Sequence, residues 1–424
     1  MIARLQLLVL ATILVVGAFS TGADFLFYLL YLLLIVVGGA YVLTRLGLSD
    51  LEAGYALSQL HGSVGEHLRV TYTLRNSSRI AKPWLEVVHP SNLPVALPGR
   101  ALLLAGRSER TWLTRVPLTR RGHFRIDPLQ VRTGDPFGLF EASAAVGSGA
   151  TLVVYPRVEP IPFWRLPATA LEGTHASRER TLQTTPLVTS VRPYVPGDGY
   201  NRIHWRTTAR HQELYVREFD LEQAADIWIF LDLERGVHRG RGDESTIEAA
   251  VRVAAAVGAR ALTEHRAVGL TGSGHHLALL PADRGARQHQ KLMQQLAAAQ
   301  PDGIAPLVEV LSHGVGWLRR GMTALVISPS TDPAWVRPLA SLRGRGVGTV
   351  VCHLDGPAYD ALARETDGRG PAGPAEAAEQ ARAVRALRHT LAEYDLPVHA
   401  IVPRVRLAEL LVTPGAVTPR AIAR

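Results

Sequence analysis

Cysteine is nearly missing from this 424-residue chain: Cys352 stands alone, inside an apolar run. An internal disulfide is therefore excluded, and the fold has to hold by packing and hydrogen bonds, as suits a reducing compartment. Lysine is almost as scarce. Only Lys82 and Lys291 occur among 46 basic residues, so the formal charge of +9 is arginine charge, spread along the sequence rather than gathered in a patch. That spread points away from nucleic acid, which asks for a clustered basic face. Catalytic motifs are missing too. There is no Gly-x-Ser-x-Gly elbow, no phosphate-binding glycine loop with lysine, and no His/Cys cluster at zinc spacing, so the expectation is a non-enzyme.

Charge is absent from two long runs, residues 5–23 and 25–44, with Asp24 alone between them. Each is long enough to cross a hydrocarbon core about 30 Å thick as a helix rising about 1.5 Å per residue. The expectation is a transmembrane helical hairpin over residues 1–48. Arg4 precedes the first run and Arg45 follows the second, while the loop between is small and acidic. The positive-inside rule then puts both ends in the cytoplasm, giving a two-pass protein of the inner (plasma) membrane with cytoplasmic soluble domains.

The remaining hydrophobic residues suffice for two cores, so the predicted fold class is α/β plus all-β. Leu68, Val70, Tyr72 and Leu74 alternate with polar residues, the two-residue period of a half-buried strand. Further short runs punctuated by Pro, Gly, Asn and Asp predict an immunoglobulin-like β-sandwich over residues 49–156, with Phe137 tucked into its core. Residues 157–222, broken by prolines, read as an inter-domain segment. From residue 223 to 412 buried strands alternate with helical patterns, beginning with Ile227-Trp-Ile-Phe-Leu231 and a helix over 245–265, which predicts a doubly wound, mostly parallel sheet. Residues 413–424 read as a disordered tail.

The densest chemistry lies between those domains. Arg192, Tyr194, Gly197, Asp198, Arg202, His204, Trp205, Arg206, Arg210, Arg217 and Glu218 crowd into one stretch without an amphipathic stripe. Pro196-Gly197 suits a tight turn, and Asp198 could cap a short helix over 201–209. An indole and an imidazole among guanidiniums need specific partners, so the favoured reading is a structural or binding clasp, with Trp205 filling a seam and arginines paired to Asp198, Glu218 or Asp220. The alternative is a membrane-bound hydrolase in which Asp198 orients His204 as a base.

The pattern Arg192-x-Tyr194-x-x-Gly197-Asp198, with Arg202-Ile-His-Trp205, Ala209-Arg210 and Leu214-x-Val216-x-Glu218, resembles the signature of the domain of unknown function 58 family. Two upstream motifs match as well: Arg121-Gly-His-Phe-Arg-Ile-Asp-Pro-Leu leading to Asp135-Pro-Phe-Gly-Leu-Phe140, and Tyr155-Pro-Arg157. The resemblance implies bacterial or archaeal membrane-anchored proteins whose C-terminal domain is similar to von Willebrand factor A. It also implies work beside MoxR-type AAA+ ATPases and transglutaminase-like membrane proteins, in assembling or maturing envelope or metal-dependent complexes.

In the von Willebrand factor A pattern a metal site begins Asp-x-Ser-x-Ser after the first strand. Here Asp232-Leu-Glu234-Arg235-Gly236 lacks both serines. Glu234 and Asp332 could supply oxygens to a weakly held Mg2+, but Arg235 sets a positive charge beside the position, so no cofactor is expected. The same residues are expected to form an exposed, charged strand-end edge able to dock another protein.

Overall fold

The computed structural model describes residues 2–162, 164, 188–195, 200, 203–219, 226–277 and 279–411. These form two compact units: Met1–Glu159 with Gln290–Gln300, and Pro160–His289 with Pro301–Arg424.

The first unit opens with two helices, α1 (Ile2–Thr21) and α2 (Asp24–Gly47), joined by Gly22 and Ala23. The rings of Phe19 and Phe27 meet edge to face at 5.5 Å. One helix, Asp24–Gly47, is long and apolar enough to cross a membrane; the apolar part of α1 is the shorter Gln6–Thr21. Ten strands follow: β1 (Leu51–Leu57), β2 (His61–Ser63), β3 (His67–Asn76), β4 (Lys82–Val88), β5 (Arg100–Leu104), β6 (Glu109–Pro117), β7 (Gly122–Ile126), β8 (Leu129–Gly134), β9 (Glu141–Val146) and β10 (Ala150–Tyr155). They make three sheets, ordered β1-β3-β6, β2-β10-β7 and β5-β4-β8-β9. The expected alternation on β3 is present: Leu68, Val70, Tyr72 and Leu74 point into a core shared with Leu85, Val131, Leu152 and Val154. Arg121, from the upstream motif, donates to the carbonyls of Leu296 and Ala299 within this unit.

The last turns of α2 are built into this unit, where Ala40, Thr44 and Gly47 are buried. Lys82 lies buried and donates from Nζ to the Leu46 carbonyl, a cation at a helix C-terminus where unpaired carbonyls and the helix dipole favour it. A Cβ on Gly47 would stand 2.6 Å from Thr133 Cγ2, so only glycine allows this approach. The rings of Tyr41 and Phe140 meet at 5.6 Å.

In the second unit β11 (Val188–Pro193) pairs antiparallel with β12 (Tyr215–Phe219), with the short helix α3 (Trp205–His211) between them in sequence. The α/β part comprises β13 (Ile227–Leu231), a hairpin of β14 (Gly240–Arg241) and β15 (Glu244–Ser245), α4 (Thr246–Thr263), β16 (Val268–Gly272), β17 (Leu280–Asp283), α5 (Ala286–Ala298, grouped with the first unit from Gln290 on), α6 (Leu307–Gly314), β18 (Thr323–Ser328), α7 (Val336–Gly344), β19 (Gly348–Leu354), α8 (Gly356–Thr366), α9 (Pro374–Glu393), β20 (Val398–Ile401) and α10 (Leu407–Leu410). The sheet runs β17-β16-β13-β18-β19-β20, parallel except for β17. Numbered by sequence, that order is 3-2-1-4-5-6, and it reverses between β13 and β18. Trp228 and Phe230 face a core shared with Leu311, Trp335, Leu339 and Leu387, while α4 packs against β13, β18 and β19. Ser245 caps α4 by accepting from the Glu248 amide, as Ser before an apolar-periodic run should.

Most predicted elements appear within a few residues of their expected places. β17 begins only at Leu280, after a turn in which Asp302 accepts from the His275 amide (2.9 Å) and pairs with His276 Nδ1 (2.5 Å). Phe137 is 61% exposed, which corrects the expectation of a core ring. The turn that carries it is stapled by Asp135, whose carboxylate accepts from the amides of Phe137 (2.8 Å) and Phe140 (2.5 Å), and those bonds hold Phe137 outward. The expected tail, 413–424, and half of the inter-domain segment lie outside the described residues.

Candidate functional site

Two places carry the candidate chemistry, both in the second unit. The first is the turn around α3. Ile203 bridges to Val216 on β12, and both are buried. The His204 amide donates to the Tyr215 carbonyl (2.7 Å), and the Tyr215 amide donates to Thr208 Oγ1 (3.0 Å). The turn is therefore fixed to β12 from beneath. The helix starts at Trp205, not at residue 201, and His204 is its N-cap, with Nδ1 2.7 Å from Thr207 Oγ1 in the first turn. Gln212 ends it in the left-handed conformation, φ 56°.

No residue of α3 is buried. Trp205 is 66% exposed, which corrects its reading as a plug: Ile203 and Val216 already fill the space under the turn, so the indole projects outward. Arg206, Arg210 and His211 are exposed with it. Tyr194 stacks on Tyr200 at 6.0 Å, and Tyr200 is 73% exposed. Arg192 donates to the carbonyl of Pro193 at 3.2 Å. Arg217 and Glu218 lie on β12, opposite Val191 and Ser190. Gly197, Asp198 and Arg202 lie outside the described residues, and so does the Asp198 and His204 pairing.

The second place is the carboxyl end of the sheet at the β13 and β18 switch point. Asp232 is fully buried: Ser328 Oγ donates to Oδ2 at 2.5 Å and the Glu234 amide to Oδ1 at 3.1 Å. Burial pushes its carboxyl up to about 6, against the opposing effect of the Ser328 bond. His353, on β19 opposite Ser328, is buried as well, and burial pulls its imidazole down to about 4. Ser330 extends the cluster, its amide donating to Ser328 Oγ (2.9 Å). Sequence reasoning missed His353, Ser328 and Ser330; the polar residues ending otherwise apolar strands were the available signal.

The expected edge is thus only partly as drawn. Arg235 and Asp332 are exposed, but Asp232 faces inward, because the strand that delivers it is buried along its whole length. Asp332 caps the turn at Pro333–Trp335, accepting from the Ala334 amide at 3.0 Å. With the oxygens of Asp232 engaged and Asp332 committed to that cap, the donors do not fit a divalent cation; among the described residues no three His, Cys, Asp or Glu side chains converge.

An apolar helix long enough to span a bilayer, a β-rich unit and a 3-2-1-4-5-6 α/β sheet introduced by an exposed aromatic turn define the class of protein. Residues 190–363 match the family described as "Protein of unknown function DUF58". It is also similar to the uncharacterized protein YeaD of Bacillus subtilis (strain 168), 26% identical over 325 residues, covering 73% of this chain and 78% of the relative. Among solved structures, the CARDB domain of a Pyrococcus furiosus protein is 16% identical and covers 25% of this chain and 92% of that one, with a TM-score of 0.19.

Proposed function

We propose that this protein is a membrane-anchored scaffold that docks another protein on the α3 turn. The observation that carries the reading is Trp205, held outward on a turn whose packing is complete without it. Tryptophan, tyrosine and arginine are the residue types that dominate binding hot spots, and α3 presents Trp205, Arg206 and Arg210 together. The strand order, with its antiparallel third strand, supports a von Willebrand factor A-like domain, and the three sheets around one core support an immunoglobulin-like sandwich. α1 lies beside α2, which supports a two-pass hairpin, and Arg4 and Arg45 outside the two uncharged runs are the reason to place both soluble units on the cytoplasmic side. Family resemblance makes a MoxR-type AAA+ ATPase the first partner to test, with a transglutaminase-like membrane protein after it. Titrating purified ATPase against the full chain in detergent tests this: Trp205→Ala is expected to weaken binding at least tenfold, and equal affinity would reject the site.

The hydrolase reading has one observation in its favour, the 2.7 Å contact of His204 Nδ1 with the Thr207 hydroxyl, which is within reach for a base and a nucleophile. The same contact is ordinary for a first helical turn. Fluorophosphonate probes should leave Thr207 unlabelled; labelling abolished by His204→Ala would restore the enzyme.

A further inference from the structure

We infer that the Gly134–Phe140 loop is a second membrane contact, with Phe137 seated in the lipid interface beside α2. The inference rests on α2 spanning a bilayer. Depth is set by the helix itself. The uncharged run ends at Thr44, and Tyr41 lies three residues before it, about 4.5 Å deeper at about 1.5 Å rise per residue. Phe140 packs its ring against Tyr41 at 5.6 Å, so this loop reaches the level at which the hydrocarbon begins.

The loop is also built to present a ring there. Asp135 is buried and ties down the amides of Phe137 and Phe140, the Gly138 amide donates to the Asp135 carbonyl (3.2 Å), and Gly138 takes the left-handed conformation, φ 67°. Pro136 stiffens the tip further. A turn so constrained cannot fold Phe137 back, and in water its exposed ring would gain nothing. Trp84, 44% exposed, lies against Gly134, adding a second ring that suits an interface with one wet and one apolar side. The anchor does not swing freely, because Lys82, Gly47 and Thr133 join α2 to this unit. Lipid is the occupant that this position selects.

The test uses the full chain in phosphatidylcholine vesicles, with an environment-sensitive fluorophore on Phe137→Cys. Cys352 is fully buried, so the native thiol does not compete for label. Pro136→Cys, also exposed, serves as a second attachment point, and Leu32→Cys reports on the middle of α2. Nitroxide-bearing lipids should quench the labels at 32 and 137 at least twofold, with aqueous iodide leaving both nearly untouched. Quenching at 32 but not at 136 or 137, with iodide reaching those two, would overturn the loop contact and leave the anchor standing. Absence of lipid quenching at 32 would overturn the spanning helix and the loop contact with it.

Discussion

At the scale of the residue, the two tryptophans Trp205 and Trp228 give opposite expectations. Trp205 projects from a turn that Ile203 and Val216 fill, so Trp205→Ala should change unfolding free energy by less than about 1 kcal/mol. Trp228 is buried and stacked on Trp317 at 5.2 Å, with Gly269 opened to admit it, so Trp228→Ala should cost about 3 to 5 kcal/mol in the same denaturant titration. Asp232 makes a pH prediction. Its carboxyl is raised to about 6, so between about pH 4 and 6 the folded state holds a proton that the unfolded chain has released. Stability from this group is therefore full below about pH 4 and falls by about 2 to 3 kcal/mol as pH rises through 6. Unfolding curves of wild type and Asp232→Asn should show the variant gaining on wild type across that range; parallel curves would contradict it. The sequence marks Trp205 and Asp232 as unusual. It does not show which way they face, because burial depends on what packs beneath a turn or a strand end, and those partners are distant in sequence.

At the scale of the element, legibility follows periodicity. β3, β13 and α4 carry strong patterns and lie where the pattern places them. β9 was not legible, since Glu141-Ala-Ser-Ala-Ala-Val146 has little apolar area to alternate and its placement comes from pairing with β8. α8 hides for another reason. Gly356-Pro357 looks like a turn, yet proline in the first helical turn loses no needed hydrogen bond, and Asp355 caps the helix through the Ala358 amide. The join between α2 and the strands makes its own prediction. Gly47→Ala should destabilise the first unit by about 1 to 3 kcal/mol through overlap with Thr133, and Thr133→Ala in the same chain should recover part of that loss. Thermal melts of the four proteins of this cycle, in detergent, would show additive effects if the two residues did not meet.

At the scale of the whole molecule, the apolar helix, the mostly parallel α/β sheet and the family match over residues 190–363 were legible, because hydropathy and motif spacing do not depend on side-chain direction. The docking face proposed on α3 is a different surface from the charged strand-end edge that the sequence suggests: the fold turns Asp232 inward and leaves the aromatic and arginine surface of α3 outward. Charged rims mainly set association rate, while buried aromatic anchors hold a complex together, so the two surfaces predict different footprints. Amide hydrogen exchange of the full chain with and without saturating MoxR-type ATPase measures that footprint directly. Docking on α3 should slow exchange across residues 203–212 and leave residues 234–238 and 330–335 unchanged. Protection confined to those two strand-end segments, with 203–212 exchanging as in the free protein, would contradict it.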